Sequence, residues 1–157
     1  LLSTICSRCQ KVLFSRLSTE DLKKVFNQEN NTEFSLDEIS VAMNKKEIIS
    51  LANGSPGEFI NCLSKCKEIP EEILSRLTNL SNKPLDSLAI AKDVTEILNV
   101  EQQIWAIQWM QQNLWENRQN EEIVRRLEKL KKQIIGYVQP RLAWEIALLE
   151  IAVILNN

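Results

Sequence analysis

An all-α fold follows from three features of the sequence. Only three Gly and four Pro occur in 157 residues, while Leu, Ile, Glu, Lys and Gln are abundant. Apolar residues recur at helical spacing through most of the chain. Polar capping residues stand just before those periodic runs, and Gly or Pro stands just after several of them. The length fits one ordinary domain or two small helical ones, and it buries roughly two-thirds of the unfolded surface. A hydrophobic content of 44% and a charged content of 25% are those of a soluble globular chain.

Ser18, three residues before Asp21, predicts the N-cap of a first helix over residues 19 to about 28. Leu22, Val25 and Phe26 form its apolar face. Asp is shorter than the Glu or Gln usual at the third position of a capping box. A polar, Asn-rich turn follows to Glu33, and Ser35 with Glu38 predicts a short helix that includes Ile39 and Val41. The next helix runs from about Lys45 to Asn53, with Ile48, Leu51 and Ala52 in helical register. Gly54 stops it in the left-handed conformation that helix ends favour. Pro56 suits the first turn of another helix, where its missing N–H would have no partner. Ile69-Pro70-Glu71-Glu72 opens a short helix with Ile73, Leu74 and Leu77 apolar, and Ser81 to Pro84 reads as a turn or linker.

From Pro84 the helices lengthen. The first reaches about Leu98 with Leu88, Ala91, Val94 and Ile97 apolar. Asn99, with Gln102 at the third position, caps the next. That helix runs to about Arg118 on a stripe of Ile104, Ile107, Met110 and Leu114, with Trp105 and Trp109 on its flank. Asn120, Glu121 and Glu122 start a further helix, since acidic groups suit the positive end of the helix dipole. Ile123, Leu127, Leu130, Ile134 and Tyr137 form its stripe, and Gly136 and Pro140 bracket its end. The last helix, from about Pro140 to Leu155, is apolar on two faces. One face is Leu142, Ile146, Leu149 and Val153; the other is Trp144, Leu148, Ile151 and Leu155. A helix apolar around most of its circumference is buried on more than one side.

Three runs carry a resemblance. Thr4-Ile5-Cys6-Ser7-Arg8-Cys9-Gln10, with Phe14 and Leu17-Ser18 after it, resembles the Ser-Arg-Cys motif of AAA+ clamp-loader subunits at its passage into the lid domain. Leu51-Ala52-Asn53-Gly54-Ser55-Pro56-Gly57-Glu58-Phe59-Ile60 resembles the lid of the bacterial subunits. Gln139-Pro140-Arg141-Leu142-Ala143-Trp144-Glu145 resembles the opening of their final collar helix. The resemblance implies a lid-like bundle at residues 1–68 and a collar-like, oligomerising bundle at 69–157. It implies that Arg8, within Ser7-Arg8-Cys9, is an arginine finger reaching ATP bound by a neighbouring subunit. A planar, permanently charged fork stabilises the charge that shifts during phosphoryl transfer, and such a finger is worth about 10³-fold or more in rate. The ATP-binding relatives carry a phosphate-contacting arginine at the register of Gly57. Its replacement by glycine makes this chain most similar to the bacterial clamp-loader member that donates a finger without hydrolysing ATP.

Other chemistries are weaker. The net charge of −2 gives no diffuse attraction to nucleic acid. No His occurs, so His-based acid–base chemistry and His metal ligands are absent, and no Walker A sequence of the GxxxxGK[ST] type is found. Four thiols, Cys6, Cys9, Cys62 and Cys66, have the number to hold a zinc ion, but the first pair belongs to the finger run and the second to an amphipathic helix. Reduced, partly buried thiols and no metal site are expected. Trp105, Trp109, Trp115 and Trp144 would stack on single-stranded bases only beside a basic groove. Residues 101–117 offer mainly Gln and Glu, which favours packing. Arg125, Arg126, Lys129 and Lys132 alternate with Glu121, Glu122 and Glu128, as on a solvated, self-paired face.

The expected function is that of a non-ATPase clamp-loader subunit within a DNA polymerase holoenzyme, with no catalysis by this chain alone. ATP and Mg would be bound by neighbouring subunits, and no cofactor by this chain. Partners would be the other loader subunits, through the collar, and indirectly the sliding clamp and primed DNA. No signal peptide or membrane span is seen, so the cytoplasm is the expected location. The missing initiator Met and the start inside a motif suggest a fragment. Trp144, Leu148, Ile151 and Leu155 are assigned to the assembly interface. An ATP-binding loader subunit whose Walker motifs lie upstream, and a helical scaffold without any link to ATP, are the alternatives.

Overall fold

The computed structural model describes residues 15–30 and 45–155. Among them are eight helices and no strand: α1 (Thr19–Asn30), α2 (Lys45–Ala52), α3 (Pro56–Glu68), α4 (Glu71–Thr78), α5 (Pro84–Ile97), α6 (Val100–Arg118), α7 (Glu121–Ile135) and α8 (Pro140–Ile154). The short helix expected from Ser35 and Glu38 lies outside the described residues.

Local chemistry sets the boundaries. Ser55 accepts from the Glu58 N–H at 3.4 Å and starts α3, with Pro56 in its first turn. Asn99 and Gln102 form a complete capping box on α6, the side chain of each accepting from the other's backbone N–H. Asn120 accepts from the N–H groups of Glu122 and Ile123 and opens α7. Gly136 does not take the left-handed turn at the end of α7. Its φ is −80, and the following Tyr137 adopts φ 58 instead. Tyr137 N–H donates to the Ile134 carbonyl and Val138 N–H to the Gln133 carbonyl, the paired bonds of a Schellman ending. The left-handed residue is thus an aromatic one, at a cost of about 1–2 kcal/mol.

Helix α6 is the central pillar. It packs against α7 along its length, and α2 and α4 lie on other sides of it. Helix α8 lies between α5 and α7, α3 packs on α2, and α1 on α3. One continuous apolar cluster runs from Leu22 on α1 through Phe59, Leu74, Val94 and Trp109 to Ile151 on α8. Each large side chain fully buried there contributes about 1.5–3 kcal/mol. The expected boundary at residues 68–70 falls in a two-residue connection whose Ile69 is buried in that cluster.

The outward direction assigned on the last helix is corrected. Trp144, Leu148 and Ile151 are buried in the core, and Leu155 packs partly buried against it. The stripe that faces outward is Leu142, Ile146 and Val153, with Leu149 half-buried. The physical reason lies in the residues beside each stripe. Ala143, Ala147 and Ala152 stand next to the Trp144 stripe and are buried with it. Such small side chains let α5 and α7 approach that face closely.

Candidate functional site

Residues 16–18 run along the turn between α2 and α3. Two successive left-handed residues build that turn, Asn53 at φ 50 and Gly54 at φ 76. Asn tolerates this region better than most residues. At position 54 a Cβ would stand 2.7 Å from the Leu17 carbonyl oxygen and 2.8 Å from the Arg16 Cβ, so the close approach requires glycine. The Leu17 N–H donates to the Gly54 carbonyl at 3.1 Å, and the Arg16 guanidinium donates to Oδ1 of Asn53. A shallow cleft of about 450 Å³ lies along this contact, reaching Thr19, Ile49 and Ser50. The first and second motif runs, far apart in sequence, therefore meet through Leu17 and Gly54.

Ser18 then caps α1. Its Oγ accepts from the Asp21 N–H at 3.2 Å, and its hydroxyl donates to the Asp21 carboxylate at 2.7 Å. The shorter Asp thus reaches the hydroxyl rather than the backbone N–H of a full capping box. The Ser18 hydroxyl, and then Lys24 at 3.3 Å, hold the Asp21 carboxyl below its ordinary value. Ser7, Arg8 and Cys9, with Cys6 beside them, lie outside the described residues. Gly57 is the second residue of α3 and exposed, and a Cβ built there meets nothing within 4 Å. That position has room for a long side chain.

Cys62 and Cys66 are buried and form no disulfide. Burial pushes the Cys62 thiol up, and the neighbouring Trp105 N–H draws it the other way. That buried Nε1 has no hydrogen-bond partner of normal geometry among the described residues. Among the described residues no group of three or more His, Cys, Asp or Glu is placed to hold a metal ion. No helix there is long and apolar enough to cross a membrane.

The tryptophans pack inward. Trp105 and Trp109 stack at 6.4 Å between centroids and 2° between planes, both buried, and Trp144 is buried beside α6. Only Trp115 is substantially exposed. On α7, Arg125 pairs with Glu121 at 2.8 Å, Lys132 with Glu128 at 3.8 Å, and Arg126 with Glu150 of α8 at 3.1 Å. Where α3 meets α6, hydrogen bonds from Ser64, Gln102 and Lys65 hold Glu68 below the usual carboxylate range.

Large apolar side chains are exposed on α8 and the turn before it, and also at Leu85, Ile97 and Val100. Leu142 is 48% exposed, Ile146 41% and Val153 61%, all on one side of the helix. Ile135, Tyr137 and Val138 are also exposed at the preceding turn. Arg141–Glu145 and Arg126–Glu150 pairs flank the helical stripe. A stripe of this kind, apolar in the middle and charged at its edges, has the anatomy of a protein interface.

Two features escaped the sequence. The contact of Arg16 and Leu17 with the α2–α3 turn had one visible signal, the Asn53-Gly54 pair itself. Gln103, buried inside α6, had none, since it sits in a Gln-rich run and reads as surface. Among known families, residues 20–151 match the one described as cyanobacterial DNA polymerase III delta prime, C-terminal domain. No curated protein and no solved structure gives a significant match.

Proposed function

The chain belongs to the family of cyanobacterial DNA polymerase III delta-prime C-terminal domains, and we propose on that ground that it serves DNA replication as a non-ATPase subunit of the clamp loader. In this reading it assembles with ATPase subunits through its C-terminal bundle. Arg8 reaches the ATP of a neighbouring subunit, and the assembly opens the sliding clamp and places it on primed DNA. ATP and Mg belong to the neighbours. The whole assembly works in the cytoplasm.

One observation carries the reading: the family match extends from the first helix to the last, downstream of Ser7-Arg8-Cys9 in the same chain. The outward stripe Leu142, Ile146 and Val153 supports assembly through α8. Gly57 supports the non-ATPase assignment, since glycine brings no charge to a phosphate. Reconstitution tests the proposal. The full-length subunit, added to its ATPase partners, should be required for loading of the clamp on primed DNA. Arg8→Ala should depress DNA-stimulated ATP turnover while assembly persists. Unchanged turnover at saturating partner would remove the finger, and normal loading without the subunit would remove the role.

A further inference from the structure

We infer that the groove between α6 and α7, with Trp115 exposed beside it, binds single-stranded nucleic acid: an unstacked base lies on the indole and the phosphate backbone on the cations of α7. This surface is independent of the finger at Arg8 and of the outward stripe on α8. Positive charge is concentrated here. Residues 118–132 hold six basic and three acidic side chains, a balance of +3 against −5 over the rest of a chain whose total is −2.

Along the sequence Trp115 sits among Gln, Asn and Glu, but the helical hairpin sets it beside the basic run. Gln111 of α6 donates to the Glu128 carboxylate of α7 at 3.3 Å and fixes the register of the pair. Trp115 and Arg118 follow Gln111 by four and seven residues, on the same face of α6. They therefore stand beside the first turns of α7, and Trp115 is 48% exposed there. Two clefts of about 750 and 550 Å³ meet along Glu121, Arg125 and Lys129; the first reaches Arg118 and the second Lys132. Among the described residues Arg118 and Lys129 make no ion pair. The Arg125–Glu121 and Lys132–Glu128 pairs are exposed and worth little, so a phosphate can take the place of either carboxylate. Glu116, next to Trp115, is engaged by Gln112 and by Ser50 of α2, which leaves Glu122 as the remaining acid of the groove. An open indole beside cations offers a stacking face to any unpaired base, a face that a duplex hides.

The test follows the fluorescence anisotropy of a labelled oligo-dT of about 15 nucleotides titrated with this chain at low salt. Saturable binding is expected, with an affinity that falls as salt rises. Trp115→Ala should weaken it about tenfold, whereas Trp115→Phe, which keeps a ring, should retain most of it. Both should keep the wild-type melting temperature, since the side chain is exposed. Arg118→Ala and Lys129→Ala should each reduce the slope of log affinity against log salt by about 0.7. The same oligonucleotide paired as a duplex should bind more weakly and be indifferent to Trp115→Ala. Absence of saturable binding, wild-type affinity in Trp115→Ala, or an unchanged salt slope in both cation variants would overturn the inference. Duplex or heparin binding as tight as that of the single strand would also overturn it, because charge alone would then account for the affinity.

Discussion

The indole Nε1 of Trp144 donates to Oε1 of Gln103 at 3.0 Å, joining α8 to α6 inside the core. Gln103 in turn donates through Nε2 to the Leu98 carbonyl at 2.8 Å, the C-cap of α5. One buried amide thus satisfies a donor and an acceptor from two other helices. Gln103→Leu should leave both unpaired and cost about 2–4 kcal/mol in urea unfolding. Adding Trp144→Phe should recover part of that loss, since the orphaned N–H is removed; strict additivity of the two changes would deny the coupling.

The two faces of α8 should respond in opposite ways to charge. Ile146→Glu or Val153→Asp on the outward stripe should leave the helical signal and melting temperature nearly unchanged and weaken binding to partner subunits. Leu148→Asp or Ile151→Asp should unfold the bundle, because an unpaired charge would enter the core. Circular dichroism with sedimentation of the mixed subunits separates these outcomes. Normal assembly by both outward variants would place the partner surface elsewhere.

Two glycines only three residues apart should differ in their tolerance of alanine. Gly54→Ala meets Leu17 and a left-handed backbone, and should lower unfolding free energy by about 1–3 kcal/mol. Gly57→Ala meets open space on a helix, and should be neutral or stabilise by up to about 1 kcal/mol. Gly57→Arg should fold equally well. Calorimetry at millimolar ATP should show no binding by the wild-type chain, and a clear one-site isotherm would contradict the non-ATPase assignment.

The start of α1 should loosen in acid. Asp21 is held below its ordinary value by Ser18 and then Lys24. A depressed carboxylate stabilises the folded chain above its unfolded pKa, and that contribution is lost as pH falls through the folded one. The protection of the Leu22 amide against exchange, relative to an unfolded chain at the same pH, should therefore fall below about pH 4. Ser18→Ala should move the NMR titration of Asp21 upward, toward the ordinary carboxylate; an unmoved titration would deny the hydroxyl its role.

Most of the fold was legible because its signals are local. Asn99 with Gln102, and Asn120, each mark a helix start through a bond made within a few residues, while Pro56 and Gly54 mark ends through their own backbone geometry. The left-handed turn at Gly54 is visible in the sequence; the left-handed Tyr137 is not, because only the pair of backbone bonds closing α7 selects that residue. Periodicity also found both stripes of α8 but not their directions. The alanines at 143, 147 and 152 held that information, since a close neighbour needs small side chains. Gln103 and the Arg16–Asn53 contact depend on partners tens of residues away. Ser7, Arg8 and Cys9, the centre of the functional reading, lie outside the described residues, so that reading rests on motif and family.

The paired rings of Trp105 and Trp109 give the chain an optical signature of its own. Two indoles stacked in parallel on one helix sit in a fixed asymmetric environment only while α6 is packed. Near-ultraviolet circular dichroism will therefore register loosening of the bundle even where the helices themselves persist. Variants that keep their far-ultraviolet spectrum but lose this band have melted inside, and their failure to assemble says nothing about an interface.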